Sequence, residues 1–210
     1  MSLGAVSDAG ARGLLDPDSP VRHHYEELAG NLLGMEGTGS VVVTSPEPGT
    51  GRTSVCLGLG AAVAGMGRRA AIVDCNLDGS QLHRTLGEPN FVGLTSGLDE
   101  SKPLEHFGYE VIPGLLVVTT GPILSDPALL LEDEGVKKAV RGLQKSRDLV
   151  LLDAPVAARV LRSSNLLGGF DGVLLVVHAS RTSKSVARET TDDLLEAGAN
   201  LLGVVLNGCS

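Results

Sequence analysis

One segment of the sequence combines glycines, hydroxyl side chains and a cation in an order suited to binding phosphate. Residues 45–54 read SPEPGTGRTS and follow an apolar, β-branched run at 41–44. Small residues let the main chain wrap closely around an anion, so that successive N–H groups point at phosphate oxygens. A helix that begins directly after the loop adds the partial positive charge of its N-terminus. The alternative is an ordinary glycine-rich turn between a strand and a helix. We predict a phosphate-binding loop formed by Pro48, Gly49, Thr50, Gly51, Arg52, Thr53 and Ser54.

Two carboxylates follow other apolar runs and support the phosphate-binding interpretation. Asp74 comes after the run at 71–73, and Asp153 comes after the run at 149–152. Residues at the carboxyl ends of parallel strands point into the crevice in which α/β proteins bind ligands. In P-loop proteins, such an aspartate and the loop hydroxyl hold Mg²⁺. Taken singly, Asp153 is also explained as a helix-capping or turn residue after a strand. We predict a metal site made of Thr53, Asp74 and Asp153, with Asp74 and Arg52 as the candidate catalytic residues.

The rest of the chain alternates between short apolar strands and helical patterns. Strands are predicted at 41–44, 71–73, 115–119, 149–152, 173–177 and 202–206. Helices are predicted at 21–33, 53–66, 81–86, 127–145 and 183–197, and 87–114 is expected to hold loops and a short element. Uniformly apolar strands separated by helices are typical of a parallel sheet buried on both faces. The pattern therefore predicts an α/β P-loop NTPase, with a mostly parallel central sheet and helices on both faces. We expect a flexible tail over 1–18 and a single nucleotide-binding domain over 19–210.

Composition excludes several other classes of protein. The net charge is −8 and aromatic residues make up 2% of the chain, whereas nucleic-acid binders carry basic patches and stacking aromatic side chains. No apolar stretch reaches the roughly 18 residues that a membrane-spanning helix needs. The beginning of the sequence lacks a basic start followed by an apolar run, so no signal peptide is predicted. The three cysteines share no metal-ligand or redox spacing, and we expect them to be reduced thiols in the cytoplasm.

Beyond these single motifs, most of the chain resembles one family. The stretches that carry the resemblance are DSPV at 18–21, TSPEPGTG at 44–51, IVDCNL at 72–77, LLDAP at 151–155, DGVLLVV at 171–177 and GVVLN at 203–207. Together they resemble the cytoplasmic domain of the bacterial tyrosine kinases, which belong with the ATPases of capsule and exopolysaccharide chain-length control. The related partitioning and division-site ATPases carry an additional Lys early in the loop. Glu47 stands at that place and favours the kinase branch.

The resemblance implies ATP or ADP with Mg²⁺ as cofactors, and tyrosine phosphorylation within a homo-oligomer. It also implies a cytoplasmic location, with recruitment to the inner face of the membrane by a partner. That partner would be a membrane-embedded polysaccharide chain-length regulator or an export component, and no nucleic acid would be bound. Asn207 would lie near the adenine and is included among the cofactor-binding residues.

The chain also departs from the family pattern, and the departures bear on catalysis. Arg52 replaces the phosphate-loop Lys, and a forked guanidinium does not reproduce the geometry of a compact ammonium. Asn76 replaces the second acidic residue, and Asp78 stands where the family has Arg. In the first helix, His23, Glu26 and Ala29 replace the residues that build the family's ring. The sequence contains only Tyr25 and Tyr109, without the family's tail of clustered tyrosines.

Three functions remain open on these grounds. The first is a nucleotide-binding regulatory domain with weakened phosphoryl transfer. The second is an active ATPase or protein-tyrosine kinase in which Arg52 takes the place of the Lys. The third is an interaction module that keeps the fold without binding nucleotide.

Overall fold

The computed structural model describes residues 2–6, 11–100, 102–123 and 134–209 of the chain. The strands in these ranges are β1 Ser2–Val6, β2 Ser40–Thr44, β3 Ala70–Asp74, β4 Tyr109–Ile112, β5 Leu115–Val118, β6 Leu149–Asp153, β7 Gly172–His178 and β8 Leu201–Asn207. They form one eight-stranded sheet in the order β1-β8-β7-β2-β6-β3-β5-β4. Neighbouring strands run parallel, except that β4 pairs antiparallel with β5. The predicted mostly parallel α/β sheet is confirmed.

Helices connect the strands and cover the sheet. They are α1 Ala11–Leu15, α2 Arg22–Leu33, α3 Arg52–Gly65, α4 Leu82–Leu86, α5 Leu94–Glu100, α6 Glu134–Gln144, α7 Ala157–Val160, α8 Ser164–Gly168 and α9 Lys184–Glu196. A 3₁₀ turn at Leu104–Phe107 precedes β4. The predicted helix at 127–145 agrees with α6 in its later part, and its first residues lie outside the described ranges.

The two faces of the sheet pack against different helices. On β2, Val41 and Val43 belong to the core that contains α2 and α3, whereas Val42 belongs to the core that contains α6 and α9. Every residue of β2, β3 and β6 is buried, as expected for central parallel strands covered on both sides. This alternation explains why the strands are apolar at every position between their ends.

Helix α3 forms the buried connection that places the phosphate loop. Its nine residues from Val55 to Val63 are all buried, so the helix lies in the core between the sheet and α2. A Cβ atom at Gly58 would overlap the ring of Tyr25 on α2, which shows how closely the two helices approach. The loop before α3 is therefore fixed at both ends, by β2 and by this helix.

The N-terminal region differs from the tail that the sequence pattern predicts for 1–18. The structure places β1 and α1 within this range, and β1 pairs in parallel with β8 at the edge of the sheet. Leu14 of α1 is buried. Main-chain pairing to an open sheet edge requires no particular side chains, so composition gives little sign of it. Among the described residues, no helix has both the length and the apolar character needed to cross a membrane.

Candidate functional site

The loop at 45–51 lies at the carboxyl end of the central strand β2 and leads into α3. Gly49 and Gly51 have φ values of +74° and +94°, a left-handed conformation that side chains other than glycine adopt at a cost. Gly51 is the residue that caps the N-terminus of α3. A Cβ at Gly51 would also overlap the amide of Asn207, so two separate constraints require glycine there. The spacing of glycines in the sequence thus corresponds to a sharply wound loop.

Asn207 stabilises this loop from the end of β8. Its Nδ2 donates a hydrogen bond of 2.8 Å to the carbonyl oxygen of Thr50. The resemblance assigns Asn207 to the neighbourhood of the adenine, and the structure adds a contact with the main chain of the loop. This residue therefore links the last strand to the phosphate loop.

Arg52 is bound to the beginning of its own loop. Its Nη1 donates to Ser45 Oγ at 2.6 Å, and Ser45 Oγ in turn donates to the carbonyl of Glu47 at 2.7 Å. Burial lowers the pKa of Arg52, and the nearby carboxylate of Asp153 opposes this effect. The guanidinium is thus part of the internal structure of the loop and contributes positive charge beside the carboxylates.

The two predicted carboxylates lie next to each other in the sheet. Asp74 and Asp153 are directly paired residues of β3 and β6, and their exposed fractions are 0% and 1%. Thr53 Oγ1 donates to Asp153 Oδ2 at 2.6 Å. The other oxygen, Asp153 Oδ1, is buried and has no hydrogen-bond partner among the described residues. The structure therefore brings together the three residues of the predicted metal site.

Burial of two like charges has an electrostatic consequence. Burial raises the pKa of Asp74, and the neighbouring charge of Asp153 raises it further. Burial also raises the pKa of Asp153, against the opposing effects of the Thr53 hydrogen bond and of Arg52. Two adjacent buried carboxylates favour a protonated form unless a cation neutralises them.

Two residues that the sequence pattern does not indicate, Ser80 and His83, support Asp74. Ser80 Oγ donates to Asp74 Oδ2 at 2.7 Å and lies 3.0 Å from Nδ1 of His83. The backbone N–H of Asn76 donates to Asp74 Oδ1 at 3.0 Å. The only sequence signal is a serine shortly after the strand-end aspartate, just before a short helix.

The oxygen ligands of this site suit Mg²⁺. Magnesium prefers hard oxygen ligands and usually keeps several waters together with one or two carboxylates and the phosphates of a substrate. This requirement is met at the mouth of the phosphate loop by one hydroxyl and two carboxylates. One of these carboxylates, Asp153, has a buried oxygen without a partner among the described residues. Within the described ranges, no cluster of three or more His, Cys, Asp or Glu residues forms a metal site made of protein ligands alone.

A second arginine lies at the rim of the loop. Arg181 follows β7, and its Nη1 is 3.8 Å from the position that a Cβ on Gly49 would occupy. Arg181 is exposed and makes no ion pair with the described residues. It is therefore a cation available to a ligand on the loop.

Comparison with known proteins identifies the family. No protein-family model matches the sequence. The tyrosine-protein kinase YwqD of Bacillus subtilis is 30% identical over 170 residues, which cover 80% of this chain and 72% of that protein. The chain belongs to the bacterial tyrosine kinase family.

Two further comparisons show how much of a relative the chain spans and which known structure its fold resembles. The putative tyrosine-protein kinase EpsB of Ralstonia nicotianae is 31% identical over 195 residues, which cover 91% of the chain but only 26% of EpsB. The crystal structure of the chimeric protein CapA2B2 superposes with a TM-score of 0.87 at 26% identity, over 100% of this chain and 94% of that one. The kinase-family chain thus spans about a quarter of EpsB, and its fold agrees with CapA2B2 throughout.

Proposed function

We propose that the chain is the ATP- and Mg²⁺-binding cytoplasmic domain of a bacterial tyrosine kinase family protein with weakened phosphoryl transfer. In this proposal it regulates polysaccharide synthesis or export in response to nucleotide, through a membrane-embedded partner. Membership of the kinase family supports the general class of activity. The membrane role rests on the family resemblance, and the nucleotide role also rests on the geometry of the site.

The observation that carries nucleotide binding is the buried, unpartnered Oδ1 of Asp153. A buried carboxylate oxygen without a partner is costly, and a bound ion or water is one common way in which proteins satisfy such a group. It lies beside Thr53, directly below a loop whose glycines have left-handed φ values. Thr53 and Asp153 would hold Mg²⁺, which would supply positive charge to neutralise the phosphates of a nucleotide.

The inference that phosphoryl transfer is weakened rests on the contacts of Arg52 and Asn76, two positions at which the chain departs from the family pattern. The guanidinium of Arg52 is held on Ser45 Oγ, so it does not extend freely along the loop as a Lys would. The side-chain amide of Asn76 donates to the carbonyl of Gly79 at 2.9 Å. The side chain thereby closes a turn, and it does not contact Asp74. Both positions thus have structural contacts in place of those that transfer needs.

The tyrosines of this sequence are also poorly placed as phosphate acceptors. Tyr25 is 1% exposed, and its ring fills the space above Gly58. The hydroxyl of Tyr109 is buried as well. Neither hydroxyl can reach a nucleotide on a neighbouring molecule without local opening of the fold. This supports slow self-phosphorylation of the described chain.

Thermal unfolding with and without Mg-ATP tests nucleotide binding. A ligand that binds only the native state stabilises it by about 2.7 kcal/mol at a concentration of 100 times its Kd. We expect Mg-ATP at millimolar concentration to raise the Tm, with smaller effects of ATP in EDTA and of Mg²⁺ alone. An unchanged Tm would instead support an interaction module that keeps the fold without nucleotide.

Arg52→Lys tests whether transfer is weakened. We expect the wild-type chain to release phosphate from ATP slowly and Arg52→Lys to release it about ten-fold faster, since an ammonium can follow the phosphates. The matched control is Arg188→Lys, which changes an exposed arginine on α9. Rapid release by the wild type, with no gain from the Lys variant, would show an active enzyme that uses Arg52.

A further inference from the structure

The Asp74 carboxylate is oriented by a chain of side chains that leads away from the nucleotide site. One of its oxygens accepts from the backbone of Asn76, and the other accepts from Ser80 Oγ. Ser80 lies in the turn between β3 and α4, and His83 lies on α4. Leu82 and Leu86, the residues that anchor α4 in the core, are buried. The turn therefore folds back over the end of β3 from a fixed helix.

The hydrogen bonds also define which atoms carry the protons. A serine hydroxyl has a single proton, and Ser80 donates it to Asp74 Oδ2 when that carboxylate is ionised, as it would be beside a bound cation. At the contact with His83 the Ser80 oxygen must therefore accept, and His83 Nδ1 must be the donor at 3.0 Å. The chain of donation runs from His83 Nδ1 to Ser80 Oγ and then to Asp74 Oδ2. The Nδ1–H tautomer of the neutral ring satisfies it.

We propose that Ser80 and His83 are positioning residues that hold the Asp74 carboxylate toward the Mg²⁺ side of a bound nucleotide. This inference rests on the proposed nucleotide-binding function. Asn76 does not share the task, because its side-chain amide is used by Gly79. Among the described residues of the turn, Ser80 is the one whose side chain hydrogen-bonds the carboxylate, and His83 fixes the direction of its hydroxyl. Mutation of groups that orient a metal ligand in this way commonly lowers metal affinity or activity by about 10- to 100-fold.

The test compares the need for Mg²⁺ with the affinity for nucleotide alone. The chain is melted with saturating ATP over a series of Mg²⁺ concentrations, and the midpoint of the rise in Tm is recorded. ATP affinity is measured separately in EDTA. We expect Ser80→Ala to raise the Mg²⁺ midpoint about ten-fold and to leave ATP affinity in EDTA within about two-fold. Ser80→Thr keeps the hydroxyl and should restore the wild-type midpoint.

The second half of the chain is tested at His83. His83→Leu removes the donor to Ser80, and we expect a rise in the Mg²⁺ midpoint of about three-fold. His83→Asn keeps an N–H donor in a similar place and should behave like the wild type. The control is His106→Leu, a change of a histidine whose Nδ1 contacts only the carbonyl of Pro103 at 3.2 Å.

The outcomes separate this inference from the proposed function. If the wild type responds to Mg-ATP and Ser80→Ala has the same Mg²⁺ midpoint, the positioning role is wrong while nucleotide binding stands. If Ser80→Ala weakens ATP in EDTA and in Mg²⁺ equally, Ser80 supports only the fold of the loop, and the inference is again overturned. A wild type that does not respond to Mg-ATP contradicts both. Should Ser80→Ala fail to fold, the pair His83→Leu and His83→Asn gives the decision.

Discussion

Aspartates at the two ends of the strands differ in how their oxygens are hydrogen-bonded. The amino edge of the sheet is the side where the central parallel strands begin, and the carboxyl edge is the side where they end. At the amino edge, Asp171 Oδ2 accepts four hydrogen bonds, from the backbones of Gly39 and Ser40, from Ser40 Oγ and from Gln144 Nε2, at 2.7 to 3.0 Å. At the carboxyl edge, Asp74 and Asp153 lie side by side on neighbouring strands, and both are buried. One oxygen of Asp153 has no partner among the described residues. The first aspartate is complete within the protein. The second pair is incomplete, which is what a site that binds a cation requires.

A surface groove of about 530 Å³ also lies at the amino edge, with Gly37, Arg147 and Asp171 in its lining. Its size alone would suggest a ligand site. However, the groove is formed around a carboxylate whose four donors come from the protein itself. The hydrogen bonding of the carboxylates therefore distinguishes the two edges better than groove volume does, although the buried Nε of Arg147 at the amino edge also has no partner among the described residues.

The largest effect on stability is expected at the amino edge. Asp171→Ala leaves two backbone N–H groups and the buried hydroxyl of Ser40 without their acceptor, and we expect a loss of about 3 kcal/mol in the free energy of unfolding. Urea unfolding measures it. Asp192→Ala, a change of an exposed residue paired with Arg188 at 3.8 Å, should alter stability by less than about 0.5 kcal/mol. A small effect of Asp171→Ala would mean that its four hydrogen bonds are replaced by water.

The next largest effect is expected in the loop of the carboxyl edge. Gly51→Ala forces an alanine into a left-handed conformation and against Asn207, so we expect a loss of about 2 kcal/mol and no Tm response to Mg-ATP. The matched control is Gly142→Ala on α6, where a Cβ meets nothing within 4 Å. That change should stabilise the chain by about 0.5 kcal/mol because alanine favours helix. Normal Mg-ATP binding by Gly51→Ala would contradict the proposed loop geometry.

Asp153→Asn should stabilise the ligand-free chain, whereas Asp171→Ala at the amino edge should destabilise it. The raised pKa of Asp153 means that ionisation in the folded state is unfavourable, so the wild type loses stability as the pH rises from about 4 toward neutral. Removing the charge should raise the stability of the ligand-free chain at neutral pH by about 1 kcal/mol and abolish the Mg²⁺-dependent part of the ATP response. Asp171→Asn is the control, and it should destabilise. If Asp153→Asn also destabilises at neutral pH, the carboxyl edge is as complete as the amino edge.

The smallest effect is expected at Arg181, on the rim of the loop. Because Arg181 is exposed, Arg181→Ala should leave the Tm unchanged and weaken ATP by about five-fold, more at low salt than at high salt. Titration with a fluorescent ATP analogue at two salt concentrations measures this difference. Arg188→Ala, which removes one exposed positive charge from α9, is the control. Equal affinities of both variants would show that Arg181 does not face the phosphates.

Much of the fold was accessible from the sequence because the central parallel strands are apolar at every position between their ends. The runs before Asp74 and Asp153 were recognised for this reason, and the structure places both aspartates at paired positions. The edge strands were not predicted. β1 joins the sheet through its main chain, and β4 is short and only partly buried, so neither leaves a clear hydrophobic pattern.

The candidate site, like the fold, was predicted from the sequence only in part. Glycines, hydroxyls and carboxylates at strand ends can be read from residue type and order, and they gave the loop, Thr53 and the two aspartates. The contacts of Ser80, His83 and Arg181 depend on how turns fold back across the ends of strands. No periodicity encodes that direction, so these contacts became visible only in three dimensions.

The sequence by itself determined the alternation of strands and helices, the loop and the residue types available to bind phosphate and Mg²⁺. These follow from local chemistry, since burial and backbone conformation constrain each position separately. The tertiary structure decided which of those groups are already satisfied by the protein. It binds Arg52 to Ser45 and completes Asp171, and it leaves one oxygen of Asp153 without a partner among the described residues, because hydrogen-bond partners distant in sequence are chosen by packing.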